Sequence, residues 1–241
     1  MLQRLDKFIS NQLNISRNDT RKLIFKGEVT VDGKPVLKPD TKIDTNICIV
    51  SLNGENINYK EYVYIMLNKP KGVISASTDK KRSTVVDLVP EHLARRGLSP
   101  VGRLDRDTTG LLIITDDGEF AHRVISPKSN LIKRYNVVLD GEVNEDVITK
   151  FENGITLHDG TRCLPAKIQV DKLHKNKVTV GIVEGKYHQI KRMFGVVGLG
   201  VNELHRCSIG NIVLDENLKL GECRELTSTE LDEICKEYKN N

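Results

Sequence analysis

The chain has 241 residues, of which 38% are hydrophobic and 29% are charged, and its formal net charge is +4. This size suits one large domain or two of ordinary size, while the absence of a long apolar run or a signal-like N-terminus argues against membrane insertion and secretion. The five cysteines lack CxxC spacing, which argues against a thiolate zinc site and indicates reduced thiols in a cytoplasmic protein.

The first 26 residues are predicted to form two short helices, because apolar residues recur there at helical spacing. Ser16 is the predicted N-cap of the second helix, which should end near Gly27. The same stretch carries six cationic and two acidic side chains. That charge suits a polyanionic partner, but charge alone favours a solvated helix face.

A small β unit is expected to follow these helices. Val29 and Val31 alternate with polar residues and lead into Asp32-Gly33, a dipeptide typical of a tight hairpin turn. A further strand over 46–52 would complete the unit. The polar segment 53–60 is the best candidate for a linker, so we expect domains at residues 1–58 and 59–241.

The rest of the chain is predicted to alternate strands and helices with short connections. This pattern is typical of an α+β domain with a largely antiparallel, mixed sheet. The predicted strands are YVYIMLNKP, VGRLD, GLLIITDD, RYNVVLDGEV, the two halves of KIQVDKLHKNKVTVGIVEG, and LHRCSIGNIVL. The predicted helices are a short one in VVDLVPEHLARRGL, then DDGEFAHRVIS, EDVITKFENGI and KYHQIKRMFGVVG.

The segment GRLDRDTTGLLIITDDG (102–118) places four carboxylates around an apolar run. Asp116 and Asp117 suit a strand end and a helix N-cap, and Asp107 suits a turn in which the two following threonines satisfy backbone groups. Asp105 is expected at the end of a buried strand, where a carboxylate needs a nearby cation to stay ionised. Spacing alone leaves three possibilities for Asp105: a structural ion pair, a metal ligand or a chemical role.

The N-terminal pattern RLDKFI…SRNDTRKLIFKGEVTVDGKPVLKP resembles the small RNA-binding module named after the fourth small-subunit ribosomal protein. The resemblance covers residues 1 to about 50, and Thr20 departs from it because the family prefers a small apolar residue there. It implies that cations of this unit contact RNA phosphates, which supplies affinity without sequence choice. The implied contacts are Arg4, Arg17, Arg21, Lys22 and Lys26.

The segment GRLDRDTTGLL resembles the signature loop of the pseudouridine synthases. NKPKGVISAS, SNLIKRYNVVLDG and EGKYHQIKRMFGVVGLGVNELHRCSIGNIVL are similar to further segments of that family, so the resemblance covers nearly the whole chain. KYHQIKRMF and ELHRCSIG are most like the RsuA type, which modifies one uridine of small-subunit ribosomal RNA. Large-subunit relatives more often carry an Arg-Arg pair where this chain has Lys191-Arg192.

This second resemblance implies a reaction that breaks the bond from ribose C1′ to uracil N1 and rejoins the base through C5, without a cofactor. It implies that Asp105 is the catalytic carboxylate, that Tyr135 stacks on the target base, and that Lys191 keeps Asp105 ionised. Arg192 takes that place if the register is shifted by one. Further support is expected from Arg103 and Leu104. Candidate phosphate contacts, each of which could also be plain solvated surface, are Lys69, Lys71, Lys133, Arg134, Lys186, His188, His205 and Arg206.

The expected partner is therefore ribosomal RNA, either the small-subunit RNA or its assembly intermediate. The protein is expected to be a monomer that binds neither a membrane nor a metal ion. The histidines His122 and His188 lack zinc-site spacing. Three alternatives stay open: a synthase acting on large-subunit RNA, a catalytically silent ribosome-assembly factor, and a metal-dependent nuclease that uses the four carboxylates of 102–118.

Overall fold

A computed structural model of the chain describes residues 2–237, and these residues divide into two compact units. The first unit contains the described residues up to Val63 together with Val89–Leu98. The second contains Tyr64–Leu88 and the described residues from Ser99 onward. The inclusion of Val89–Leu98 in the first unit is not foreseen by the domain prediction, which cut the chain at a single point.

The first unit combines two helices with short antiparallel strands. Strand β1 pairs with β4, and a four-stranded sheet has the order β3-β2-β5-β6. Its elements are β1 (Leu2–Arg4), α1 (Leu5–Gln12), α2 (Arg17–Phe25), β2 (Val29–Val31), β3 (Lys34–Pro35), β4 (Lys42–Asp44), β5 (Val50–Leu52) and β6 (Glu55–Asn56).

Local sequence signals account for most of this first unit. The Ser16 hydroxyl accepts a hydrogen bond from the Asp19 amide at 3.1 Å, which confirms the predicted N-cap of α2. Asp32 and Gly33 both have positive φ, +50° and +77°, as a two-residue type I′ hairpin requires. Thr20 is fully buried, and its hydroxyl donates to the Ser16 carbonyl at 3.0 Å, so the polar group is satisfied inside the core.

The prediction that 53–60 is a linker is wrong. Strand β6 lies within this segment and pairs with β5, and the Tyr59 ring lies 6.0 Å from that of Phe8 on α1. The Gln12 side chain also donates to the Lys60 carbonyl at 3.1 Å. Polar composition suggested a connection, but the few apolar residues of the segment pack on the first unit.

The second unit is built on one mixed sheet with helices packed on it. The order is β11-β12-β10-β13-β9-β7-β15, with β8 beside β9 and β14 beside β13. Strands β9 and β13 run parallel, and the other described pairs run antiparallel, which confirms the α+β prediction. The elements are β7 (Tyr64–Lys69), β8 (Ser99–Pro100), β9 (Thr109–Thr115), α3 (Gly118–Ile125), β10 (Lys133–Leu139), α4 (Glu145–Glu152), β11 (Lys167–Val170), β12 (Lys177–Ile182), α5 (Gln189–Val196), β13 (Val201–Ile209), β14 (Ile212–Val213), β15 (Cys223–Glu225) and α6 (Ser228–Glu237).

Strand β9 forms the centre of the core, since all seven of its residues are buried. Asp117 caps α3 by accepting the Phe120 amide at 2.9 Å, and its other oxygen accepts the Tyr64 hydroxyl at 2.8 Å. The predicted N-cap is therefore confirmed at Asp117, where the carboxylate ties α3 to β7.

Two expected elements differ in the structure. Residues 101–105, predicted as a strand, form a loop between β8 and β9, and Gly102 in that loop has φ of +77°. The predicted helical element at 85–98 reduces to two 3-10 turns, Val86–Leu88 and Glu91–Leu93. Pro90 lies between them and cannot donate the amide hydrogen bond that a continuous helix needs. Within residues 2–237, no helix is both long and apolar enough to cross a membrane.

Candidate active site

Lys69, at the end of β7, holds the loop that carries Asp105 through hydrogen bonds. The Lys69 ammonium donates to the carbonyls of Asp105 and Thr108 at 3.1 and 3.0 Å, and to that of Pro70 at 3.1 Å. The side chain is fully buried, and burial lowers the pKa of Lys69 to about 8. The prediction that Lys69 contacts RNA phosphate is therefore wrong, because its buried ammonium group donates its hydrogen bonds to carbonyls of the loop.

The loop is also fixed on either side of Asp105. The Ser75 hydroxyl donates to the Leu104 carbonyl at 2.9 Å and accepts from its amide at 3.0 Å, while the Leu104 side chain is buried. After the loop, Gly110 has φ of +101°, and a Cβ there would lie 2.3 Å from the Arg206 carbonyl oxygen. Glycine is required at this position because β9 and β13 approach each other so closely.

The Asp105 carboxylate is 26% exposed and faces the start of α5. The Lys191 ammonium lies 3.4 Å from one of its oxygens, and the His188 Nε2 lies 3.5 Å from the other. The same ammonium donates to Asp107 at 2.6 Å, and this hydrogen bond lowers the pKa of Asp107. One lysine thus serves two carboxylates, an arrangement that assigns Asp107 more than the turn-shaping role predicted for it.

The neighbouring arginine points elsewhere. Arg192 forms an ion pair with Asp159 and donates to the Tyr187 carbonyl at 3.3 Å. Helical geometry explains the choice, because successive side chains on α5 are about 100° apart around the axis. Of the two cations that the sequence left open, Lys191 is the one beside Asp105.

His188 starts α5 in a left-handed conformation with φ of +49°, a conformation that is costly for a residue other than glycine. Its ring stacks on that of Tyr187 at a centroid distance of 3.8 Å. Tyr187 itself is 70% exposed. Sequence reasoning did not select Tyr187, although an aromatic side chain beside a histidine in a basic segment was a usable signal.

Tyr135 lies on β10 at the base of the cleft and is 8% exposed. Its partner across the antiparallel pair with β13 is Arg206, so the two side chains share one face of the sheet. The Arg206 guanidinium carbon is 5.9 Å from the centre of the Tyr135 ring, and Nη1 is 3.5 Å from the phenol oxygen.

A cleft of about 420 Å³ lies within the second unit. Asp105, Tyr135, Lys133 and Arg206 border it, and Tyr187 stands at its side. The volume lies in the range of ordinary small-molecule pockets. The cleft can therefore hold one nucleoside-sized group against the carboxylate and the aromatic ring.

The predicted phosphate contacts separate by exposure. Arg103, Lys71 and Arg134 are exposed, and Lys186 and His188 are partly exposed, so these side chains are accessible to RNA. Lys133 and Arg206 are buried, which rules out a role as surface contacts. His205 is half-buried with Nδ1 2.9 Å from the Thr109 hydroxyl, and burial lowers its pKa, which disfavours a cationic contact with RNA.

Thr108 behaves differently from the expectation that its hydroxyl satisfies the loop backbone. The hydroxyl oxygen is buried and has no hydrogen-bond partner among the described residues. Its backbone carbonyl accepts a hydrogen bond from Lys69 instead.

In the first unit, two of the predicted RNA contacts share one buried carboxylate. Asp6 is 1% exposed and accepts from Arg4 at 2.9 and 3.0 Å and from Arg21 at 3.3 Å. Both guanidinium groups remain about half exposed. The remaining predicted contacts of this unit, Arg17, Lys22 and Lys26, are exposed.

A metal site has no support in the part of the chain that the structure describes, where His, Cys, Asp and Glu nowhere gather in groups of three or more that could hold an ion. Asp117 is engaged as a cap and Asp107 as a partner of Lys191. Asp105 and Asp107 thus share one cation and Asp117 caps a helix, and no metal-binding cluster forms among the described residues.

The chain is similar to known proteins over most of its length. Residues 63–195 match the family described as RNA pseudouridylate synthase, and residues 3–46 match the S4 domain. A Bacillus subtilis (strain 168) protein named "Uncharacterized RNA pseudouridine synthase YtzG" is 40% identical over 230 residues, which span 95% of this chain and 96% of that protein. The "Ribosomal small subunit pseudouridine synthase A" of Vibrio cholerae is 42% identical over 97% of this chain and 100% of its own.

A solved structure agrees with the sequence matches. A crystal structure of a pseudouridylate synthase superposes with a TM-score of 0.67 at 37% identity, and it covers 96% of this chain and 99% of its own. Both resemblances noted in the sequence are thereby confirmed. The chain belongs to the RNA pseudouridylate synthase family and carries an S4 domain at its N-terminal end.

Proposed function

We propose that this enzyme converts one uridine of small-subunit ribosomal RNA to pseudouridine, with Asp105 as the catalytic carboxylate and without a cofactor. One observation carries the proposal: the Asp105 carboxylate stands at a cleft with Tyr135, within 3.5 Å of both Lys191 and His188. The choice of RNA rests on relatives named as small-subunit enzymes, such as that of Vibrio cholerae.

The geometry suits a reaction at the ribose anomeric carbon. The carboxylate is partly exposed and lies beside an ammonium group, and it can attack or electrostatically stabilise an electron-poor C1′. The same carboxylate can accept a proton as a base. The departing uracil is also the incoming nucleophile through C5, so the isomerisation consumes no co-reactant.

Tyr135 and Lys191 have supporting roles in this proposal. The target base must leave its RNA helix to reach the cleft, and the Tyr135 ring supplies a stacking surface in place of the neighbouring bases. Lys191 supplies a point charge, without the bidentate fork that an arginine would present. Arg103 and Leu104 directly precede Asp105 in the loop. In this proposal the buried Leu104 side chain anchors the loop, and the exposed Arg103 side chain supports the active site from the loop surface.

RNA is held by exposed cations of both units in this proposal. The S4 unit, proposed as residues 1–58, contributes the five cations named for it above. The catalytic domain, proposed as 59–241, contributes the exposed cations around the cleft. Contacts of this kind release counterions, so binding should weaken steeply with salt. We propose that the enzyme acts as a monomer, because the proposed reaction calls for no group beyond those already present in this cleft.

The proposal is tested by Asp105→Asn with Asp107→Asn as the matched control. Pseudouridine is mapped in total RNA from cells that lack the protein and from the same cells supplied with each variant. Asp105→Asn should abolish the modification, and Asp107→Asn should retain at least about ten-fold more activity because its carboxylate contacts Lys191 and not the substrate.

Three outcomes would contradict parts of the proposal. Near-normal modification by Asp105→Asn would remove its catalytic role. A lost pseudouridine in large-subunit RNA would redirect the substrate. Normal RNA binding by the wild-type chain, with no tritium released from C5-labelled uridine in either ribosomal RNA, would indicate a silent assembly factor.

A further inference from the structure

Two buried cations line the cleft without an anionic partner. Arg206 is 5% exposed, and the Lys133 side chain is also buried. The Lys133 ammonium donates to the Val183 carbonyl at 3.0 Å, and Arg206 Nε donates to the Leu111 carbonyl at 2.7 Å. Within residues 2–237, neither cation has a carboxylate within 4.0 Å.

One of these donors is wholly unused. The Arg206 Nη2 atom is inaccessible to solvent and makes no hydrogen bond to any described residue. Leaving a buried, charged donor without a partner is costly. Burial lowers the pKa of Lys133, and repulsion by the nearby charge of Arg206 lowers it further. A bound group that carries negative charge would compensate this pair.

The position of the pair indicates which group that is. Lys133 and Tyr135 lie two residues apart on β10, so their side chains share the face of the sheet on which Arg206 lies. Both cations border the cleft together with Asp105. A base stacked on Tyr135 would reach this layer, whereas a phosphate of the RNA backbone would remain nearer the exposed cations at the rim.

We propose that Lys133 and Arg206 stabilise the negative charge that develops on the target uracil when it separates from ribose. This inference rests on the proposed function. When the C1′–N1 bond breaks, its electron pair stays with the base and spreads over N1 and the two carbonyl oxygens, while Asp105 compensates the electron-poor C1′. The bond from C5 to C1′ then forms, the C5 proton is released, and N1 takes up a proton, so the product is an isomer.

The charge distribution of the site supports this division of labour. Asp105 lies with Lys191 and His188 at one part of the cleft, and the unpaired cations lie at another, beside the Tyr135 ring. Preorganised charges of opposite sign at the two ends of a breaking bond favour its separation, and a dry environment strengthens their effect.

The test compares two leaving groups in the same RNA. Small-subunit RNA transcripts are made with uridine or with 5-fluorouridine and presented in the form, free or assembled, that the wild-type chain modifies. The readout is the single-turnover loss of the N-linked nucleoside at the target site. Fluorine makes the departing base a weaker base, so its separation depends less on nearby cations.

Arg206→Met should slow the reaction on uridine about 100-fold, as removal of a preorganised donor typically does, and should slow it several-fold less on 5-fluorouridine. Lys133→Met should likewise slow the reaction more on uridine than on 5-fluorouridine. If circular dichroism shows that Arg206→Met does not fold, the test rests on Lys133→Met. Lys150→Met, which removes an exposed cation of α4, is the control and should leave both rates unchanged.

Equal slowing of the variants on the two substrates would overturn the proposal. It would also be overturned if the variants keep the wild-type single-turnover rate at saturating RNA and only their KM is raised, because the cations would then act in phosphate binding. Failure of the wild-type chain to form pseudouridine in either ribosomal RNA would instead contradict the proposed function. The two failures are therefore distinguishable.

Discussion

Replacing Lys69 by methionine tests whether a buried ammonium holds the loop of Asp105. Methionine has nearly the same length but donates no hydrogen bond, so the carbonyls of Pro70, Asp105 and Thr108 lose their shared donor. The carbonyls of Pro70 and Thr108 are left without this donor at about 2 kcal/mol each. Loss of the charge-assisted bond to the Asp105 carbonyl, which still accepts from the Thr108 amide at 3.1 Å, costs about 1.5 kcal/mol, or about 5.5 kcal/mol in all.

Part of this loss is offset, because the wild-type fold pays for burying the charge. A pKa of about 8 in place of 10.5 corresponds to about 3.4 kcal/mol at neutral pH. The expected net destabilisation by Lys69→Met is therefore about 2 kcal/mol, which is a sizeable fraction of the stability of a typical domain.

The dependence on pH has a definite sign. Between pH 8 and 10.5 the unfolded chain binds more protons at Lys69 than the folded chain does, so the wild-type stability attributable to this residue rises with pH in that window and falls as pH drops through 8. The difference in unfolding free energy between wild type and Lys69→Met should accordingly grow from pH 7 to pH 10, and other titrating groups cancel in that difference.

The assay is urea unfolding of both proteins at a series of pH values, followed by the pseudouridine assay at neutral pH. Lys80→Met, an exposed substitution in the loop after β7, should change stability by less than about 0.5 kcal/mol. If Lys69→Met is as stable as Lys80→Met and fully active, the ammonium does not hold the loop and the reasoning is refuted.

Three further predictions concern the scaffold. Gly110→Ala should destabilise the second unit by more than about 3 kcal/mol in urea unfolding, because its Cβ would overlap the β13 backbone at φ of +101°; an unchanged midpoint would contradict the close approach. Asp117→Ala should cost about 2 kcal/mol in the same assay by removing the α3 cap and the acceptor of the Tyr64 hydroxyl, whereas Asp117→Asn, which keeps a cap, should cost less. Asp6→Asn should weaken RNA binding in filter-binding assays several-fold at low salt by releasing two arginines from a fixed geometry; equal affinities would indicate that the arginines need no positioning.

The sequence by itself determined the features that depend on neighbouring residues. Ser16 and Asp117 cap helices whose amides lie within three residues of them, and Asp32-Gly33 turns a hairpin through its own backbone angles. Such interactions close within a few residues, so a short pattern contains all the information needed to predict them. The family resemblance also rested on contiguous segments, and the comparisons confirmed it.

The tertiary structure alone decided how these segments meet. Lys69 and Asp105 are 36 residues apart in sequence, and Asp107 and Lys191 are 84 apart, so no local pattern reports their contact. Charge on the sequence suggested solvent-exposed RNA contacts at Lys69 and Arg206, yet both lie in the core, where backbone carbonyls of the packed sheet and loop accept their donors. A sequence does not distinguish a buried lysine or arginine from an exposed one. Their properties differ because of desolvation, which only the packed fold imposes.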